Sequence, residues 1–302
     1  MARHIRVPGI VDVVLVSDPA EIRALNDQQK IDRNFIPRGP LVNRLIVGRI
    51  RRWFEIMGQL LPSLTPRGDQ VRADRQKQLA AALAPAHESS QGSTLWTDAQ
   101  IDSLAAYVRG AGGDEAAAIM TQEIVGRLFD TQYRADRATW QAAKMIDQFR
   151  DGFSPIQIVW QLTGQLRRAR DLLVDRAKDD RWTMHGTAIG VHGIVQALAR
   201  MRALRASPTA ASLSEDAVLG RCLAPPKQVP RTVEAPFETP FVSDSLKAGA
   251  IVMLQLETAG PQAPDAEMVF MRDHWNACPA RAFVTTLLMM VWRRSLQATD
   301  VA

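Results

Sequence analysis

The stretch MRDHWNACPARAFVTTLLMMVW, Met271 to Trp292, places one of the chain's two cysteines, Cys278, directly before Pro279 and an apolar helical run. Residues 282–292 have the composition of a helix buried in a core. Proline is favoured at the first position of a helix, so the spacing predicts a helix opening at Pro279. A cysteine in that setting has two readings. Free cysteine is among the most buried residue types and behaves as an inert small hydrophobe. Alternatively, the N–H groups and positive end of the helix lower its pKa, and the thiolate serves as a metal ligand.

Composition bounds the choice. The 302 residues, 46% of them apolar, suffice to fill a sizeable core. The longest apolar runs, such as residues 287–292, are far too short to span a bilayer, and no charged-then-apolar signal segment is visible. The expectation is a soluble, cytoplasmic protein. Cys222 and Cys278 show no Cys-x-x-Cys spacing and no cysteine-histidine cluster. That argues against a disulfide framework and structural zinc and leaves two free thiols. The net charge of +5 intersperses acids among the bases, so it does not imply a nucleic-acid partner. The arginines can equally meet anionic groups of a small ligand.

Along the chain, Val13–Val16 reads as a short strand, and Asp18-Pro19-Ala20-Glu21 as the capped start of a helix. Residues 41–61 put Leu45, Ile46, Ile50, Trp53, Phe54, Met57 and Leu61 at helical spacing beside Arg49, Arg51 and Arg52, which predicts an amphipathic helix packed on the core. Helical patterns continue over 69–85, which carries Arg72 and Arg75, and over 96–110, 114–129, 138–149 and 154–177. TMHGTAIGVHGIVQALARMRAL, 183–204, is the most evenly apolar and is expected to be the buried central helix. A capped helix from Ser212 runs to Pro225-Pro226, and the proline-, glycine- and β-branched-rich residues 228–270 form strands and turns. The expected fold is mainly α with a minor β part, as a single domain over 1–302.

In order and spacing, three of these landmarks resemble the cytochrome P-450 superfamily of haem-thiolate enzymes. GTAIGVHGIVQALAR, 186–200, is similar to the family's central helix, with Thr187 on its threonine and His185 in place of its acid. AVLGRCLAPP, 217–226, resembles the Glu-x-x-Arg helix and proline bend, with Arg221 matching and Val218 in place of the glutamate; Glu215 or Asp216 are the neighbouring substitutes. NACPARAF, 276–283, resembles the cysteine segment. There Met271 replaces the phenylalanine that covers the cysteine, His274 a glycine, Asn276 an arginine or histidine, and Ala280 the glycine after the cysteine.

The resemblance implies a truncated cytochrome P-450-like helical fold around haem b, with Cys278 as the axial thiolate ligand of iron. It implies cations for the haem propionates in Arg231 and in Arg72 or Arg75, with Asn276 and Met271 in the cofactor-binding loop. The implied activity is that of a haem-thiolate oxidoreductase on a small apolar or amphipathic organic substrate. The oxidising equivalents come either from a ferredoxin-type electron donor, as in a monooxygenase, or from hydrogen peroxide, as in a peroxygenase. Without the acid, either peroxide as oxidant or no oxygen activation at all is favoured; with peroxide, His185 is the general acid-base and Thr187 orients water or substrate. Trp53, Phe54, Trp160, Leu162 and Trp182 are candidate pocket residues, and His4, His87 and His192 are expected at the surface. The alternatives are a haem-dependent isomerase or dehydratase without oxygen activation, a non-catalytic haem-binding or helper protein, and, if no haem binds, a mostly helical scaffold or partner-binding protein.

Overall fold

The computed structural model describes residues 2–71, 73–74, 77, 95–150, 155–262, 267–271 and 274–297. It divides the chain into two compact units, Met1–Asp74 with Pro225–Cys278, and Arg75–Ala224 with Pro279–Ala302. The boundary thus falls directly after Cys278.

The first unit holds the β part. Strands β1 (Arg3–Val7), β2 (Val11–Val16), β3 (Ile31–Asp32), β6 (Val229–Val233) and β7 (Ile251–Leu254) form one sheet in the order β1-β2-β7-β6-β3, and β4 (Glu55–Ile56) and β5 (Gln59–Leu60) form a separate hairpin. Strands β2 and β7 pair in parallel, with Val14 opposite Val252 and Val16 opposite Leu254. Those four residues are wholly buried on one face, where Ile22 and Leu25 of helix α1 (Pro19–Asp27) join them. Helix α1 starts as its sequence dictates: the Asp18 carboxylate accepts the N–H groups of Ala20 and Glu21, and Pro19 takes the first position.

Helix α2 (Leu41–Phe54) covers the other face through Val47, against Phe35 and Ile251. It is shorter than its sequence pattern. Met57 at φ 49° and Gly58 at φ 76° make the two-residue turn of the β4–β5 hairpin, so the helical spacing ends at Phe54. Leu45 and Met57 consequently point to solvent, whereas Asn43 is buried. Its side-chain amide donates to the carbonyls of Asp12 and Gly249 and its oxygen accepts the Asp12 N–H, which fastens α2 to the sheet.

The second unit is helical: α3 (Asp98–Val108), α4 (Asp114–Arg127), α5 (Arg137–Arg150), α6 (Pro155–Leu162), α7 (Gln165–Arg176), α8 (Arg181–His185), α9 (Val191–Arg205), α10 (Glu215–Cys222) and α11 (Arg281–Leu296). Thr97 and Gln100 cap α3 reciprocally. Gly164, at φ 68°, divides the pattern over 154–177 into α6 and α7. The cap of α10 is Ser214 rather than Ser212, because Ala210–Ser212 forms a tighter turn of its own. The expected central helix is present and buried through Met184, Ala188, Ile194, Leu198 and Met201. It is not uniform, since a π-helical turn, Gly186–Gly190, separates α8 from α9. Single π turns within α-helices recur at functional sites. The last helix, α11, buries Phe283, Leu287, Leu288, Val291 and Trp292 and opens at Arg281, with Pro279 and Ala280 forming a turn ahead of it.

Candidate functional site

Cys278 is exposed, so it is not the core residue of the inert reading. Its backbone N–H donates to the Phe270 carbonyl at 2.8 Å and closes the loop that begins at Met271. Within that loop the His274 N–H reaches the Met271 carbonyl, and the Ala277 N–H reaches the His274 carbonyl. Met271, at φ 48°, sends its side chain into the sheet core beside Met268. The His274 ring pairs with Asp27 at 2.9 Å and with Glu267 at 3.5 Å. Because proline has no N–H, the residue after Cys278 offers its sulfur no backbone donor.

One residue that sequence reasoning missed organises this loop from the end of α1. Asn26 is wholly buried, and its Nδ2 donates to Asn276 Oδ1 at 2.9 Å. Its carbonyl accepts Trp275 Nε1–H at 2.9 Å, and its Oδ1 accepts Nε and Nη2 of Arg231 at 3.3 and 3.2 Å. The sequence carries a faint signal of this role. Ile22, Leu25 and Asn26 share the buried face of α1, where an amide is out of place unless it is bonded.

The other cysteine behaves differently. Cys222, at the end of α10, is 1% exposed, and burial pushes its thiol up to about 11. An unfolded chain ionises this thiol near its ordinary value of 9, whereas the folded one does not. The group's contribution to stability is therefore complete below about pH 9 and is lost as pH rises from 9 toward 11. With a disulfide reagent at pH 8, one thiol, Cys278, is expected to react in the native protein and two after denaturation. Two fast native thiols would contradict the burial of Cys222.

Arg231 is buried in β6 at 2% exposure. Its guanidinium, together with those of Arg33 and Arg67, lies over the Trp275 ring, with Cζ atoms 6.0, 4.5 and 4.7 Å from the ring centroid. Arg33 Nη1 donates to the Ser63 carbonyl, but its Nε and Nη2 are enclosed without an acceptor among the described residues. Arg72 and Arg75 lie outside the described residues.

On the central helix, His185 is half-buried and Thr187 wholly buried. The Thr187 hydroxyl donates to the Thr183 carbonyl at 2.7 Å. Gln122 of α4 grips the Thr187 carbonyl at 3.0 Å and the Thr139 carbonyl of α5 at 3.2 Å. Gly186 permits close packing, since a Cβ there would lie 2.7 Å from the Phe129 ring. Tyr133 packs against Gly126, and burial, the largest cause, pushes its phenol up. His192 is buried rather than at the surface, its ring 5.0 Å from that of Trp140 and its Nδ1 3.8 Å from Asp147. His4 is likewise drawn in, bonded to the buried Asp12 at 2.8 Å; His87 lies outside the described residues.

Trp182 and Phe54 are buried, and Trp53 and Trp160 are half-buried. Leu162 is 82% exposed on α6, which also turns Ile156, Ile158 and Val159 outward. Arg221 is exposed, and Glu215 pairs with Arg293 of α11 at 2.5 Å instead, bracing α10 to α11.

No protein-family model matches the chain, and no curated protein matches it in sequence. Solved structures do match. A six-coordinate cytochrome P-450 from Thermus thermophilus is 15% identical, with 93% of this chain and 84% of that one covered and a TM-score of 0.56. Cytochrome P-450-153 from Novosphingobium aromaticivorans is 14% identical, with 97% and 84% covered and a TM-score of 0.55. P-450 BioI, solved in complex with an acyl carrier protein bearing hexadec-9Z-enoic acid, is 13% identical, with 95% and 85% covered and a TM-score of 0.58. The chain has the cytochrome P-450 fold. No helix among the described residues is long and apolar enough to cross a membrane.

The cytochromes P-450 that share this fold hold haem, a group that takes a ligand for iron and cations for two carboxylates. Cys278 presents an exposed thiol, and Arg33 has two enclosed N–H groups lacking an acceptor among the described residues, in the same unit as Arg231. The donor chemistry fits the group.

Proposed function

We propose that the protein is a haem-thiolate oxidoreductase that acts on a small apolar or amphipathic organic molecule, with hydrogen peroxide as its oxidant. The observation that carries this reading is an exposed cysteine, held in a closed loop just ahead of the last helix, in a chain that shares the cytochrome P-450 fold over almost its whole length. When bound, haem supplies oxidation chemistry at an iron whose thiolate ligand favours O–O cleavage.

The remaining work falls to the chain's own residues. Cys278 would hold the metal, and Asn26, through Trp275 and Asn276, holds the loop that carries Cys278. Arg231 supplies positive charge for the carboxylates, and Arg72 or Arg75 are the candidates for a second contact. Met271 anchors the loop in the sheet core. His185, adjacent to the π turn, would serve as the general acid-base near neutral pH, holding and returning a proton of hydrogen peroxide. Thr187 acts chiefly through its backbone, because its hydroxyl proton is committed to Thr183.

The Thr187 bond is also the reason to prefer peroxide over dioxygen with a ferredoxin-type donor. The turn Gly186–Gly190 contains no acid, so the relay of protons to dioxygen lacks its usual parts. The same observation favours, as a second reading, an isomerase or dehydratase that needs no oxidant at all.

The test is to express the protein with a haem precursor and present a panel of fatty acids, terpenes and aromatics under three conditions. Product formed with peroxide alone, and lowered about 10²-fold or more by His185→Ala, is the expected result. Product that requires a reductase and dioxygen would establish the monooxygenase route, and product without oxidant the isomerase. Haem binding without turnover in any condition would leave a non-catalytic haem protein.

A further inference from the structure

Four segments distant in sequence bring three guanidinium groups onto one indole. Arg33 follows β3, Arg67 lies in the loop after β5, Arg231 is in β6, and Trp275 precedes Cys278, all within the first unit. Arginine stays charged in proteins, so the three cations repel one another. Arg33 is 3% exposed, and such burial is costly without an anion.

The hydrogen bonds of Arg33 and Arg67 do not supply one. Arg67 donates to the backbone carbonyls of Asn26, Asp27 and Gln28, and Arg33 to that of Ser63. These acceptors are neutral amide oxygens, as are the Asn26 side chain and the Pro230 carbonyl that accept from Arg231. Asp32 is close, yet its Oδ1 takes the backbone N–H groups of Arg33 and Arg67, at 2.6 and 2.7 Å. The Trp275 face offsets part of the cost by cation–π attraction, but it accepts nothing from the in-plane N–H groups of a guanidinium stacked over it. Arg33 Nε and Nη2, enclosed and without an acceptor among the described residues, form one edge of the guanidinium. That edge has the spacing to grip both oxygens of a carboxylate or phosphate at once. Arg67 Nε is also enclosed without an acceptor among the described residues.

We propose that Arg33, Arg67 and Arg231 form, over Trp275, a receptor for a carboxylate or phosphate group. The oxyanion supplies the missing charge and the acceptors that Arg33 and Arg67 lack. It belongs either to the carboxylates of a porphyrin, a source that rests on the haem-thiolate reading, or to a separate acidic ligand, a source that does not.

The full chain and its Arg33→Lys, Arg33→Met and Arg67→Met variants are titrated with haemin, with haemin dimethyl ester, and with inorganic phosphate and pyrophosphate. The ester keeps the macrocycle and lacks its carboxylates. Porphyrin binding is read from the Soret band, and anion binding from the tryptophan fluorescence lost in Trp275→Phe. Arg33→Lys keeps the charge without the fork, and Arg67 is only half-buried, so these two variants guard against simple misfolding.

If the carboxylates are the porphyrin's, wild type binds haemin about tenfold or more tightly than the ester. The arginine variants then lower haemin affinity to that of the ester and leave the ester itself unchanged. If the ligand is separate, haemin and ester bind alike, while phosphate or pyrophosphate binds with an affinity that falls about tenfold or more in the variants. Variants that bind all four probes as wild type does would overturn the receptor, and so would equal losses of haemin and ester with no anion binding. Failure of wild type to bind haemin at all sinks the haem-thiolate reading, and the receptor then stands or falls on the phosphate titrations.

Discussion

Cys278→Ala is expected to abolish the strongly red-shifted Soret band of the reduced, carbon monoxide-treated protein while changing stability by no more than about 0.5 kcal/mol. The two halves of that expectation have separate physical grounds. The thiol is exposed, so its removal opens no cavity, and the bond that closes the loop comes from the backbone N–H of residue 278 and survives the substitution. Thiolate ligation, in contrast, has no other source, because Cys222 is buried at the end of α10 and its thiol is pushed up to about 11. Cys222→Ala should show the reverse pattern, an unchanged spectrum with measurable destabilisation from the space vacated in the core. A red-shifted band that persists in Cys278→Ala would remove this cysteine from the metal and with it the proposed activity.

Gln122→Leu is expected to destabilise the protein by about 2–5 kcal/mol, read as a lowered urea midpoint. Gln122 is wholly buried, donates to the carbonyls of Thr139 and Thr187, and accepts the Thr139 hydroxyl at 3.0 Å. Leucine fills a similar volume and leaves both carbonyls short of a donor, each at a cost of about 1–3 kcal/mol. The residue joins α4 to α5 and to the π turn, so its loss bears on the backbone that sets Thr187. A change under about 1 kcal/mol would mean that the turn is held by packing alone.

Much of the architecture was legible because its causes are local. The cap at Asp18, the proline after it and the capping box at Thr97 act within one turn of helix, and each element begins where those residues stand. The apolar run over 183–204 reads as a central helix because its apolar content is high, and Met184, Ala188, Ile194, Leu198 and Met201 are buried; Gly193, Gln196 and Arg200 nevertheless form an exposed stripe. Other expectations failed where a single backbone angle intervened. Met57 and Gly58 turn a helical spacing into a hairpin, and Gly164 divides one helical pattern into two. Apolar periodicity does not register a residue that adopts positive φ.

The sequence by itself determined the mainly helical class, the buried central helix and the position of a cysteine ahead of the last one, since hydrophobic period and capping are properties of neighbouring residues. Only the tertiary structure decided that Asn26 would carry the cysteine loop, that Glu215 would brace Arg293 rather than Arg221, and that Arg33, Arg67 and Arg231 would converge on Trp275. Those partners lie as much as 250 positions apart in the chain, and a polar residue's sequence neighbours do not reveal which distant group will satisfy it once both leave water.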